Sequence, residues 1–567
     1  MFVKLTKSGP RRYIQLVEAY RDENGRARQR TIASLGRLET IDAHYDSLIR
    51  GLERVTGRDH SAEPSAEAEL PDIVFKPARH LGDVWSLTAL WNELGFDQLA
   101  RVFRSGKRQL DVEAMLRIMV FNRLCDPESK LGVLRWLETV SLPGIATETV
   151  AHQHLLRAMD ALVEHRDAVD KVVAGLLRPL IDQELSVVFY DLTTIRTEGD
   201  SEQHDDVRRY GQSKDGGIRR QVVLGVVQTA DGLPIYHEVF EGNVAEVKTL
   251  RATLDTVMAR YPIRRVIAVA DRGLLSLDNL EELQGLTTPA GEPLEFILAV
   301  PGRRYPDFVD TLRDFHDTQC QPADQEVLGE FRWNALRLVV AHDPRMAAEK
   351  TAERNRRIKA LEDQAAEWVD KLDTQDSGTR GRGRPLSDGG VRARFYHAVM
   401  EARLGRIIRV DLKSALFSYT IDRKARRLGE MMDGKLLLVT NTRDLSADEV
   451  VARYKSLADI ERGFRVLKSE IEIGPVYHRL PNRIRAHAYL CFIALILHRV
   501  IRQRLCQAEQ SISPERALET LRRIQHHQIQ LAGKNRSGIT SLSPEQAALL
   551  QSLRVEKPSN PEQLQLL

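Results

Sequence analysis

A chain of 567 residues is too long for one ordinary domain, and roughly two to four are expected. Hydrophobic residues make up 42%, enough for real cores, while 83 basic against 80 acidic residues leave a net charge of only +3. That balance excludes a uniformly basic nucleic-acid coat, so any site for a polyanion must come from local patches. The four cysteines, Cys125, Cys320, Cys491 and Cys506, lack C-x-x-C spacing, which argues against a zinc site or disulfide framework and suits a reducing cytoplasm. The N-terminal MFVKLTKSGPRRY has no signal-peptide core. The most apolar stretch, Ala488 to Leu497, is too short to span a bilayer and reads as a buried core helix, so no membrane segment is expected.

In chain order, residues 1–36 read as a β-hairpin. Tyr13 to Val17 alternates, Asp22-Glu23-Asn24-Gly25 is a turn signal, and Gln29 to Ala33 returns. The hairpin carries Lys4, Lys7, Arg11, Arg12, Arg26, Arg28 and Arg30. A helix from Thr40 to Val55 completes a basic segment over 1–56, and the Ser, Ala, Glu and Pro that follow suggest a linker over 57–79. Residues 80–182 are patterned as helices, with Val84, Leu87, Leu90 and Leu94 at helical spacing.

The pattern then alternates. Strands are expected near 185–191, 221–229 and 234–241, a helix at 245–260, a strand at 265–271, a helix at 277–285 and a strand at 294–300. That order is the one a ribonuclease H-like mixed sheet requires. The expected fold is therefore α/β, with a catalytic core over 183–301 and 433–505. The 302–432 segment between the halves is an insertion, and 506–567 forms a C-terminal helical region. The insertion contains strand-like Leu336 to Ala341 and an Arg-Gly loop, Arg380 to Pro385.

Three acids stand out. Asp191 closes the apolar run Val187 to Tyr190, and Asp271 closes Val266 to Ala270. Glu461 lies in RYKSLADIERGFRVLKS, with Tyr454 seven residues before it and Lys468 seven after. On one continuous helix those three share a face, an odd stripe for a core. Two strand-end aspartates and a helical glutamate form a hard-oxygen set that can hold Mg2+ for phosphoryl transfer. Taken singly, each aspartate also fits a turn at a strand end.

Together these residues resemble the DDE transposases of bacterial insertion sequences, in the branch marked Y-x2-R-x3-E-x6-K, the insertion sequence 4-like superfamily. Tyr454, Glu461 and Lys468 match, and Leu457 stands where the motif asks for arginine. Asp271-Arg272-Gly273 with Ser276 resembles D-R-G-x-x-S, and Gly242-Asn243 with Glu246 and Thr249 resembles G-N-x-x-E-x-x-T. The resemblance implies an enzyme that cleaves transposon ends and joins the 3′-OH to target DNA, with Asp191, Asp271 and Glu461 as catalytic metal ligands for Mg2+ or Mn2+. It implies DNA contacts from Tyr454, Lys468, Arg272 and Arg465, the last a substitute for the missing arginine. It further implies a β-rich insertion, end binding by the 80–182 region, terminal inverted repeats and target DNA as partners, and a homodimer in the DNA complex. The competing readings are a structure-selective nuclease on the same fold and a catalytically silent DNA-binding derivative. Three carboxylates in family order argue against the second.

Overall fold

The computed structural model describes residues 1–8, 11–22, 26–37, 73–104, 110–181, 186–214, 216–244, 246–261, 265–270, 280, 284–288, 291–320, 325–377, 386–531 and 534–559. Two compact units divide the chain: Met1–Phe75 with Ile529–Asn535, and Lys76–Gln528 with Arg536–Leu567. The expected helix at 40–55, the 57–72 part of the linker, the helix expected at 277–285 except Leu280, Gln284 and Gly285, and the Arg-Gly loop fall outside the described residues.

In the first unit the expected hairpin is a three-stranded antiparallel sheet, β1 (Phe2–Ser8), β2 (Arg11–Arg21) and β3 (Ala27–Arg37). The added strand is Lys4 and its neighbours, which pair with β2 from Phe2↔Val17 to Ser8↔Arg11. Ile14 and Val17 are its buried residues, whereas Lys4, Lys7, Arg11, Arg12, Arg26, Arg28 and Arg30 are all exposed. A short strand, β4 (Ile73–Phe75), lies within the expected linker and pairs with Ile529 to Leu531.

The second unit opens on β5 (Arg79–His80) and then six α-helices: α1 (Gly82–Glu93), α2 (Leu99–Phe103), α3 (Val112–Cys125), α4 (Gly132–Thr139), α5 (His152–Glu164) and α6 (Arg166–Leu177). Asp111 starts α3 by accepting from the Ala114 amide at 3.0 Å, the side-chain cap that an N-terminus needs for its orphan N–H groups. These helices share one hydrophobic core with the sheet that follows, so the core shows no break near residue 182.

That sheet has nine strands: β6 (Ser186–Arg196), β7 (Arg209–Gln212), β8 (Ile218–Thr229), β9 (Pro234–Glu241), β10 (Val266–Ala270), β11 (Glu295–Ala299), β12 (Val327–Trp333), β13 (Leu336–His342) and β16 (Lys435–Thr440). The first half runs antiparallel, β9 to β8 to β6, with β7 on the same edge of β8 as β9. β10 and β11 then join in parallel, with α7 (Glu246–Arg260) between β9 and β10 and α8 (Val309–Gln319) between β11 and β12. β16, β13 and β12 extend the sheet beyond β11, all antiparallel.

This pairing corrects the expected insertion. Residues 327–342 belong to the main sheet because Leu336 to His342 pairs with β16. What stands apart is mainly helical: α9 (Pro344–Asp376), α10 (Asp388–Glu401) and α11 (Arg423–Met432), with only the two short strands β14 (Ile408–Val410) and β15 (Tyr419–Ile421). It has its own small core around Phe395, Ile358 and Ile408. The long charged run of α9 can be helical because one stripe, Ile358, Leu361 and Ala365, is buried at the 3–4 residue spacing of a helix face.

After β16 come α12 (Ala447–Lys455), α13 (Leu457–Ser469) and α14 (Pro481–Gln507). α14 extends well past the apolar decade seen in the sequence. Among the described residues it is the one helix long and apolar enough to cross a membrane, but 94% of its apolar stretch is buried inside the fold. It packs on α3, α5 and β9, with Leu490, Ile493, Leu497 and Ile501 fully buried. Each such side chain contributes about 1.5–3 kcal/mol, which makes α14 the central strut of this unit. The C-terminal region, expected to be helical, holds strands Gln525–Leu531 and Lys534–Ile539 beside helices Pro514–Arg522 and Pro544–Ser552.

Candidate active site

Asp191 is not at a strand end. It sits in the middle of the eleven-residue β6, paired with Val226 of β8, and is 9% exposed. That placement removes the turn reading for this residue. On its other edge β6 runs parallel to β10, with Val269 opposite Phe189, each two residues before its aspartate in the sequence. Asp271 and Arg272 lie outside the described residues.

The neighbours of Asp191 are fixed from several sides. Oδ1 accepts from the Leu192 amide at 2.7 Å, and the Lys214 ammonium stands 3.5 Å from the same oxygen. Lys214 also donates to the Leu192 carbonyl, and its amide donates to Thr194 Oγ1 at 3.0 Å. The turn that delivers it runs from Ser213 to Gly217. Gly216 and Gly217 have φ of +100° and +75°, backbone values that favour glycine, and Ser213 closes the turn by donating its amide to the Gly217 carbonyl at 2.9 Å. In sequence this segment reads equally as a plain charged hairpin; the Gly-Gly pair after Lys214 is the signal for a tight turn.

Next to Asp191, Tyr190 donates its buried hydroxyl to Thr249 Oγ1 at 2.8 Å. Thr249 is the last residue of the G-N-x-x-E-x-x-T stretch, so that motif ties α7 to the strand bearing the aspartate.

Tyr454 and Glu461 occupy two helices rather than one. Ser446 and Glu449 form a capping box that starts α12. Ser456 then interrupts the run between α12 and α13, while keeping helical backbone angles of φ −66° and ψ −11°. The strict seven-residue stripe is therefore interrupted between Tyr454 and Glu461. Tyr454 packs beside a core cluster that includes Phe189, Val269 and Val451. Leu457, at the position where the motif has arginine, is 4% exposed in that same cluster. Arg462 and Arg465 are exposed and Lys468 is half-buried in the last turn of α13. Glu461 lies on α13; its side chain is outside the described part.

α13 packs across β6. At Gly463 it approaches so closely that a β-carbon would meet Arg499 of α14 and Gln228 of β8 at 3.0 Å each, and Gln228 is the partner of Phe189 on β6. The end of α13 is pinned to α14 by His498, whose Nε2 lies 2.9 Å from Glu470; this hydrogen bond holds the Glu470 carboxyl below its usual range. The helix bearing Glu461 is thus held over the strand bearing Asp191. Among the described residues there is no group of three or more His, Cys, Asp or Glu side chains placed to share a metal ion, and two of the three acids at issue fall outside that set.

Residues 3–66 match the profile of the IS1634 family transposase N-terminal domain, and residues 305–497 match that of a transposase DDE domain. The second match takes in Glu461 and starts after both aspartates. Among solved structures, the chain is similar to a piggyBac transposase synaptic complex with hairpin DNA, at 8% identity over 77% of this chain and 75% of that one, TM-score 0.35. It is also similar to the Drosophila P element transposase strand transfer complex, at 10% identity over 73% and 97%, TM-score 0.21. No curated protein matches. On its two domain matches, this chain is a DNA transposase, an enzyme that cleaves and joins DNA. More particularly, its two matched domains are those of an insertion-sequence transposase N-terminus and of a transposase DDE domain, and DDE transposases use divalent metal ions.

Proposed function

We propose that this transposase cleaves the terminal inverted repeats of its element and joins the freed 3′-OH to target DNA, with Asp191, Asp271 and Glu461 as the metal-binding catalytic set. The observation that carries this reading is the arrangement around Asp191. Its carboxylate is buried in mid-sheet, β10 beside it leads into Asp271, and α13 above it bears Glu461. The strand order β9, β8, β6, β10, β11, with the last two parallel to β6, supports a ribonuclease H-like core.

The donor set fits hard divalent cations, since all three ligands are carboxylates. Asp191 Oδ1 already faces a cation, the Lys214 ammonium. Mg2+ is the expected physiological ion and Mn2+ a substitute. Bound there, two such ions supply an activated nucleophile and stabilise the leaving oxygen. The chain's own part is positional. The Leu192 amide fixes the Asp191 carboxylate, and the Glu470–His498 bond and the Gly463 contact hold α13 at its height over β6. Arg465, Lys468, Arg272 and Tyr454 are proposed to touch the DNA backbone, with Arg465 taking the role of the motif arginine. Cutting two ends needs two such sites, so a homodimer on DNA is proposed, acting in the cytoplasm. The motif Tyr454, Glu461 and Lys468 supports the insertion sequence 4-like branch.

The test is strand cleavage on DNA carrying the element's ends. Asp191→Ala, Asp271→Ala and Glu461→Ala should each abolish metal-dependent cleavage while circular dichroism and end binding persist. Near-wild-type cleavage by any one of them removes that residue from the site.

A further inference from the structure

A cleft of about 760 Å3 lies between the turn after α3 and the segment that joins α13 to α14. Lys130 lines it and is 7% exposed, yet it has no hydrogen-bond or ion-pair partner among the described residues. An ammonium left mostly out of water without a counter-charge is costly. The surroundings add to the cost. Arg123, also buried, spends its guanidinium on the backbone carbonyls of Glu128, Ile471 and Glu472 and on the side-chain amide of Asn122, and its Nε has no partner. His487 faces the Ile473 carbonyl through Nε2 at 2.9 Å and leaves a buried Nδ1 with no partner. Arg479 is exposed at the rim.

The acids that line the cleft do not balance this charge. Glu128 is 3.7 Å from Arg135, and Glu472 is exposed. Arg483 is already paired with Asp160 at 2.9 Å. Burial first, then the nearby Arg123, pushes the Lys130 ammonium down to about 7. Burial and then Lys130 push His478 down to about 4. Both directions report burial first and neighbouring positive charge second.

We propose that this cleft is a phosphate site, and that its occupant is a backbone phosphate of the DNA bound to the catalytic sheet. A point-charge ammonium with no other partner among the described residues suits a phosphate group. The location suits DNA: Val476, on the cleft wall, donates to the Arg196 carbonyl at 2.9 Å, and its carbonyl accepts from Glu198. Arg196 ends β6 five residues after Asp191, about 17 Å along the strand at ~3.3 Å per residue. At ~3.4 Å of axis per phosphate on one strand, DNA that followed β6 would put the site about five phosphates from the one at Asp191. Naming DNA as the source rests on the transposase reading; the anion site rests on the cleft.

The experiment uses the full chain with Lys130→Met, which keeps the aliphatic stem, and Lys130→Arg, which keeps the charge. Inorganic phosphate should raise the melting temperature of the wild type and of Lys130→Arg above a chloride control of equal ionic strength, and should not do so for Lys130→Met. Binding to end DNA by Lys130→Met should weaken about ten-fold at low salt, and the slope of log K against log salt should fall by about one. A phosphate shift that persists in Lys130→Met overturns the site. A lost phosphate shift with an unchanged DNA slope overturns DNA as the occupant and leaves free phosphate or a nucleotide. Failure of the wild type to cleave end DNA counts against the transposase reading, whereas an unchanged salt slope in a Lys130→Met chain that still cleaves counts against the phosphate site.

Discussion

The Lys214 ammonium lies 3.5 Å from the Asp191 carboxylate and is bound at the same time to the Leu192 carbonyl. A cation fixed there competes with any metal ion for the same oxygen. The Lys214 side chain is 43% exposed, so solvent screens the pair and its worth is about 0.2–1 kcal/mol. Lys214→Ala should therefore tighten Mn2+ binding by about two- to five-fold, measured by calorimetry on the DNA-free protein. Weaker binding in the variant would mean that Lys214 orders the carboxylate for the ion rather than competing with it.

Leu457 explains how this chain departs from the motif. It is 4% exposed against the core cluster of Phe189, Val269 and Val451, so an arginine there would bury its charge. Leu457→Arg should lower stability by on the order of 3 kcal/mol or more, read as a reduced urea midpoint, with no gain in end binding. A stable variant with tighter end binding would show that the position can face DNA after all.

Arg465 is exposed on α13, one turn past Glu461, and Lys468 is half-buried at its last turn. Lys468 is about 10 Å along the helix from Glu461 at ~1.5 Å per residue, too far to touch an ion held by that carboxylate. Arg465→Ala and Lys468→Ala should each lower the salt slope of end binding by about one unit and leave calorimetric metal affinity unchanged. An unchanged slope with lost metal affinity would assign the residue to support of the carboxylates.

Three histidines set an acid limit on stability. His237 is buried, stacked on Phe492 at 4.4 Å and edge-on to Tyr489 at 4.7 Å. Burial, with Arg166 and Arg260 nearby, holds its pKa well below the ordinary range. His487 is depressed likewise by burial and Lys130, and His478 to about 4. Below about pH 6.5 the unfolded chain takes up these protons and the native chain does not, so stability falls as pH drops. For His478 the loss stops growing near its native value of about 4. Each histidine contributes a slope of up to about 1.4 kcal/mol per pH unit between pH 6.5 and 5. Urea midpoints across that window should fall with pH, and His237→Gln should flatten the decline by one proton's worth. An equal slope in the variant would show that His237 titrates normally in the fold.

Much of this protein is legible in the sequence because it depends on local patterns. The apolar runs before Asp191 and Asp271, the Ser446–Glu449 capping box and the basic residues of the N-terminal strands follow from period, propensity and capping. So does the order β6, β8, β9, α7, β10, β11. Tertiary pairing decided the rest. Sequence ended the first strand at Asp191, but β8 continues the ladder as far as Arg196–Gln221 and leaves the aspartate in mid-strand. The segment from 327 to 342 joined the main sheet because β16 offered it a partner more than ninety residues later, a contact no local window contains. The burial of Leu457 comes from packing against the sheet. Lys214 met Asp191, and Lys130 lost its solvent, only when segments far apart in the chain were packed together, because the charge felt by a side chain is set by neighbours in space.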